Sequence, residues 1–172
     1  MMFDINEAEN RIGYTFNNKN LLRQAFTHSS YSNEKHVESN ERMEFLGDAI
    51  LSFVISRYLY KKYPEMQEGG LTNERAALVS AKSLCKAVND LKLYELMLLG
   101  EGEKNNRSDN VAADLFESVA CAIYLDGGIN VAEKFIMRAL DKSIKGKKRI
   151  NDYKSKLSEY CKKNFNKNVE YI

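Results

Sequence analysis

Four carboxylates in this chain are spaced to do metal chemistry. Glu44 and Asp48 stand four residues apart within Asn40-Glu41-Arg42-Met43-Glu44-Phe45-Leu46-Gly47-Asp48. Asp114 and Glu117 stand three apart within Val111-Ala112-Ala113-Asp114-Leu115-Phe116-Glu117-Ser118-Val119. On a helix, residues three or four apart share a face. Glu41 falls one turn before Glu44 on the same stripe. Both stretches continue into dense apolar sequence, Ala49 to Leu59 and Val119 to Leu125. A carboxylate on such a helix costs several kcal/mol unless it is paired or bound to a metal, roughly the scale for buried charge. Neither Asp114 nor Glu117 has an Arg or Lys three or four residues away. Two such helices would bring four acids around one point, an all-oxygen site of the kind that suits Mg²⁺ or Mn²⁺. The competing reading is a buried ion-pair network in which Arg42, Arg75 or Arg107 neutralises the acids. Thr27-His28-Ser29-Ser30-Tyr31 offers another polar cluster. His28 and Ser29 are sequence neighbours with no third group to orient them, so the cluster reads as a helix end tied down by hydroxyls and an imidazole.

The elements that must carry these acids read as helices. With one proline, no tryptophan and 44% hydrophobic residues among 172, the chain fits an all-α globular protein. Helices are expected from Phe3 to Ile12, with Gly13 as a C-cap, and from Leu21 to Thr27, with Asn17 or Asn18 as a cap. Ser32 to Ser39 is polar and reads as a loop containing an exposed His36. The acidic helix opens at Ser39 or Asn40 and runs to about Lys61. Gly47 inside it implies a close backbone approach by another helix or a second subunit. Thr72 reads as the cap of a helix reaching Asn89, Tyr94 to Leu99 as a short segment, and Gly100 to Asn110 as a polar loop leading into the second acidic helix. Val131 to about Ile144 is a further amphipathic helix, and Asp152 to Phe165 another, before a strand-like Val169-Glu170-Tyr171-Ile172.

Charge is uneven along the chain. Residues 141–172 carry 10 Lys and Arg against 4 Asp and Glu, whereas residues 1–140 carry 16 against 20. The basic tail is where a polyanion would be held. Cys85, Cys121 and Cys161 have neither metal-ligand spacing nor a disulfide pattern, so a reducing cytoplasm is expected. The N-terminal residues show no signal peptide, and no apolar run reaches the length of a membrane span.

The stretch Asn40 to Asp48 resembles the signature of the ribonuclease III family, with Met43 where leucine is usual. Further blocks resemble the family in family order: Thr27-His28-Ser29-Ser30-Tyr31, Leu71-Thr72 with Arg75-Ala76-Ala77-Leu78-Val79, Leu98-Leu99-Gly100, and Asp114-Leu115-Phe116-Glu117 with Ala122-Ile123-Tyr124-Leu125-Asp126-Gly127-Gly128. Together they span about residues 5–140. The resemblance implies the all-α endonuclease fold, a helical bundle, over residues 1–144. A basic linker at 145–150 is then expected, followed at 151–172 by an incomplete double-stranded-RNA-binding domain, whose first helix Asn151 to Cys161 resembles. It implies a homodimeric, cytoplasmic endoribonuclease with no membrane association. That enzyme would cleave double-stranded RNA with Mg²⁺, or Mn²⁺ in its place, to 5′-phosphate and 3′-hydroxyl ends in rRNA and mRNA processing. Glu44, Asp48, Asp114 and Glu117 match the catalytic, metal-binding acids of the family. Glu41 matches an auxiliary acid, and Phe45 an aromatic that enters a pocket on the partner subunit. The alternative is a relative that binds RNA or ribosomes and has lost the chemistry. Such a relative is expected to lose acids, and all four are present.

Overall fold

The computed structural model describes residues 3–103, 108–146, 160, 161, 164 and 165. The first element, α1 (Ile5–Ile12), starts where the Asp4 side chain accepts the Glu7 N–H at 3.0 Å. It stops at Gly13, whose φ of 67° is the left-handed conformation that an L side chain resists. In α2 (Lys19–Ala25), Asn18 is the cap and accepts the Asn20 N–H at 3.1 Å. The Gly13 and Asn18 caps agree with the sequence reading, whereas the helix expected from Phe3 starts only after Asp4.

The segment from Ser32 to Ser39 departs from it. Instead of a loop, α3 (Ser29–Lys35) forms there and ends at His36, which is exposed at φ 54°. The segment has little apolar surface, so its periodicity was silent. Tertiary hydrogen bonds hold it: the Gly100 N–H donates to Ser30 Oγ at 2.9 Å, and the Glu101 N–H donates to Glu34 Oε1 at 2.8 Å.

The long acidic helix is α4 (Glu41–Lys62). After it, α5 (Glu68–Leu78) begins four residues before the expected start at Thr72, whose hydroxyl donates to Glu68 within the helix at 2.9 Å. Gly69 and Gly70, poor helix formers, concealed this turn. The expected single helix to Asn89 is also two. It breaks at Ser80, whose hydroxyl donates to the Ala77 carbonyl at 3.1 Å and caps α6 (Ala81–Asp90). A 3₁₀ turn at Leu93–Leu96 follows, and Leu98 then bridges to Thr27. The second acidic helix, α7 (Asp109–Gly127), is capped by Ser108. Leu140 separates α8 (Ile129–Ala139) from α9 (Asp141–Gly146), where one helix was expected. The expected linker residues 147–150, most of the expected helix from Asp152 and the terminal strand lie outside the described residues. Tyr160, Cys161, Asn164 and Phe165 are helical.

The hub of the bundle is α7, which packs on α2, α4, α6 and α8. Ten of its residues are buried, from Ala112 and Ala113 through Ile123. A helix apolar all round is the central one. By contrast, α4 is not buried on every side. It buries Met43, Gly47, Ile50, Leu51, Val54, Ile55 and Leu59, and turns Phe45, Phe53 and Tyr60 to solvent at 82%, 54% and 74% exposure. These three lie seven or eight residues apart, on one outward stripe. Apolar composition alone did not distinguish the two faces. Among the described residues, no helix is long and apolar enough to cross a membrane.

Candidate metal centre

The two acid-bearing helices touch where Gly47 stands. A Cβ there would overlap the Glu117 carbonyl oxygen and lie 2.5 Å from its carbonyl carbon. Only a glycine lets α4 approach the α7 backbone this closely. The expected close approach is therefore made by another helix of the same chain. A second contact lies one turn earlier. The Asn40 carbonyl accepts the Glu44 N–H at 2.9 Å, and the buried Ser118 hydroxyl donates to the same oxygen at 3.4 Å. Glu44 and Glu117 are thus each next to a direct contact between helices.

This packing brings Glu44, Asp114 and Glu117 together. Each offers a carboxylate oxygen, and the three oxygens lie within 4.8 Å of one another. All three side chains are half-buried. Asp48 lies outside this trio and is exposed, yet its charge is felt by both Glu117 and Glu44. Glu41 is exposed as well. It accepts from the Ser39 hydroxyl at 2.9 Å, and its charge reaches Glu44. Phe45 points to solvent on the outward stripe. Of the three arginines that could have neutralised the acids, Arg42 is exposed, Arg75 donates instead to Ser56 at 3.2 Å, and Arg107 lies outside the described residues. Among the described residues no Arg or Lys is ion-paired with the trio.

The electrostatics carry the mark of uncompensated charge. Burial, then the charges of Asp48, Asp114 and Glu44, push the Glu117 carboxyl up to about 8. Burial, then Asp114, Glu41 and Asp48, raise Glu44. Burial raises Asp114, against a lowering contribution from His28. Three convergent oxygens, all hard donors, with no Arg or Lys ion-paired to them among the described residues, fit a divalent ion such as Mg²⁺ or Mn²⁺.

A pH dependence follows from these shifts. The folded protein holds protons that the unfolded chain releases from about pH 4.5 upward. Stability of the metal-free protein therefore falls as pH rises from there toward Glu117's value of about 8, and levels off above it. Divalent ions bind the deprotonated acids. The melting temperature without metal is expected to drop between pH 5.5 and 8.5, with added Mg²⁺ or Mn²⁺ raising it more at pH 8.5 than at 5.5. Calorimetric scans with EDTA and with each ion check this, and an equal metal shift at both pH values would count against the site.

A ribonuclease-III-like family model matches residues 18–144. The chain belongs to the ribonuclease III family. It is 43% identical over 173 residues to a Ribonuclease 3 of Geobacillus kaustophilus, covering 96% of this chain and 70% of that protein. A Ribonuclease 3 of Bacillus cytotoxicus is 43% identical over 171 residues, covering 95% and 70%. Among solved structures, the nuclease domain of ribonuclease III from Campylobacter jejuni superposes with a TM-score of 0.76 at 37% identity, over 81% of this chain and 97% of that one. That structure is described as showing flexibility in a region involved in dimer formation. Ribonuclease III enzymes are endoribonucleases, and the chain is an enzyme of that class.

Sequence reasoning missed two contributors to the site's construction. Ser118 reads as one small residue in an apolar run, and Asn40 as a cap. Asn40 is 2% exposed and makes no side-chain cap hydrogen bond. Its backbone carries the tie to Ser118, and no local signal announces a bond between residues 78 positions apart.

Proposed function

We propose that this chain is a Mg²⁺-dependent endoribonuclease that cleaves double-stranded RNA to 5′-phosphate and 3′-hydroxyl ends, with Mn²⁺ as a substitute ion. The convergence of Glu44, Asp114 and Glu117 within 4.8 Å, unpaired by any described cation, carries the reading. In it, these three acids hold the metal, and Asp48 joins them from the solvent side of the same helix face. Glu41, held by Ser39, lines the approach as an auxiliary acid. A bound divalent ion supplies Lewis acidity, lowering the pKa of water to a nucleophilic range and offsetting charge on the leaving oxygen. The carboxylates keep that charge in place while leaving room for water and phosphate. The Ser30 hydroxyl, 2.8 Å from the His28 imidazole, is engaged by it and by the Gly100 N–H, so this pair is structural and water is left as the nucleophile in this reading.

The outward stripe of Phe45, Phe53 and Tyr60 supports a homodimer, because large apolar side chains aligned on one helix face favour burial against a second copy. Phe45 would enter the partner, and each subunit would cut one strand of a duplex. Residues 1–144 form the catalytic domain in this reading, 145–150 a basic linker, and 151–172 the first part of a double-stranded-RNA-binding domain. The setting is the cytoplasm, with rRNA and mRNA precursors as substrates.

Incubation with a long RNA duplex at moderate salt, resolved on a denaturing gel, tests the reading. Short products are expected with Mg²⁺ and none with EDTA. Intact duplex in both lanes, at low salt as well, would overturn it, since phosphate contacts are strongest there.

A further inference from the structure

His28 was expected to tie down a helix end, and through one ring nitrogen it does. Its Nδ1 accepts the Ser30 N–H at 3.2 Å and lies 2.8 Å from Ser30 Oγ. That hydroxyl oxygen already accepts the Gly100 N–H at 2.9 Å, so its own proton is available to Nδ1. With Nδ1 an acceptor, the neutral imidazole carries its proton on Nε2. Among the described residues nothing accepts that proton.

The backbone ties the His28 segment to the start of the acid-bearing helix α4. The carbonyl of Thr27, the preceding residue, accepts the N–H of Asn40, the residue that opens α4, at 2.9 Å. The His28 N–H donates to the Leu98 carbonyl at 3.1 Å. Asn40 in turn receives the Glu44 N–H, so two successive hydrogen bonds join the His28 segment to a member of the trio. His28 also stands close enough to Asp114 on the facing helix to act on that carboxyl, against the effect of burial. A half-buried N–H donor thus belongs to a segment joined to the acid-bearing helix, whose carboxylates by themselves repel a phosphate.

We propose that His28 Nε2–H donates a hydrogen bond to a non-bridging phosphate oxygen of the bound RNA. His28 is then a substrate-contacting residue of the reaction assigned above, on which this inference rests. The donor is pre-oriented by the cap, so it loses little freedom on binding.

Two substitutions separate the nitrogens. His28→Asn retains an acceptor for the Ser30 N–H, asparagine being a favoured N-cap, and removes the Nε2 donor. His28→Gln places an amide N–H near the Nε2 position and gives up the cap acceptor. Single-turnover cleavage of an RNA duplex is measured alongside the melting temperature and its rise with Mg²⁺. The Asn variant is expected to keep its melting temperature and metal shift and to cleave about ten- to a hundredfold more slowly, the scale of one lost hydrogen bond to a charged group. The Gln variant is expected to melt lower and to cleave faster than the Asn variant. Cleavage by the Asn variant within twofold of the parent would overturn the proposal. So would activity that follows melting temperature across both variants, since the cap would then be the whole role. Failure of the parent to cleave would remove the nuclease reading, and this inference with it.

Discussion

Gly47→Ala is expected to destabilise the protein by about 3 kcal/mol, the upper range for forcing an extra methyl into a packed interior. For a domain of this size that lowers the melting temperature by roughly 6–12 °C. The added carbon would meet the Glu117 carbonyl, which is backbone in the middle of α7 and cannot rotate away. Relief requires α4 and α7 to separate, and those helices carry Glu44 on one side and Asp114 and Glu117 on the other. The variant is therefore expected to lose metal-induced stabilisation along with cleavage, even at temperatures where it remains folded. Thermal melts with and without Mg²⁺ read both effects. A folded variant with the parent's metal shift would show that the trio tolerates helix separation, and would remove Gly47 from the construction of the site.

Glu117→Gln has the opposite thermodynamic signature and the larger catalytic effect. Glutamine has the same shape and no charge, which is the state that burial and three neighbouring acids already favour when no metal is bound. The metal-free variant is expected to melt no lower than the parent at pH 8 and to lose much of the decline between pH 5.5 and 8.5. The parent's decline arises because its folded state holds a proton that the unfolded chain gives up, and glutamine has none to hold. Cleavage is expected to fall at least a hundredfold, since even residues that only orient metal ligands cost about ten- to a hundredfold. Duplex binding should persist, because it depends on phosphate contacts elsewhere. Near-parental cleavage would take Glu117 out of the mechanism. A sharply lower melting temperature at pH 8 would contradict the charge-repulsion account of the metal-free site.

These two variants test different parts of one arrangement. The first alters the distance between the helices and leaves the acids intact. The second alters one acid and leaves the packing intact. Agreement of both with expectation would tie the helix contact and the carboxylate trio to a single function.

The sequence by itself determined the helical class and the family resemblance, and it singled out the candidate acids. Charge within dense apolar sequence is costly, and that cost made Glu44, Asp48, Asp114 and Glu117 conspicuous without any coordinates. It also flagged Gly47, because a glycine in a helix interior needs a reason. Caps were legible at Gly13 and Asn18, where a left-handed glycine and a local side-chain bond close the helix ends. Where long-range contacts decide, the chain was silent. The polar α3 exists because Ser30 and Glu34 bond to residues about 70 positions away, and hydrophobic periodicity cannot report such bonds. The exposed stripe of α4 was hidden for a related reason: its composition is apolar on both faces, and only packing against α7 decided which face the bundle buries. Tertiary structure alone drew Glu44, Asp114 and Glu117 into a trio and left Asp48 at the solvent edge. Helical spacing places two acids on one face, whereas the separation between acids on different helices depends on how closely the backbones meet, here at Gly47 and Glu117.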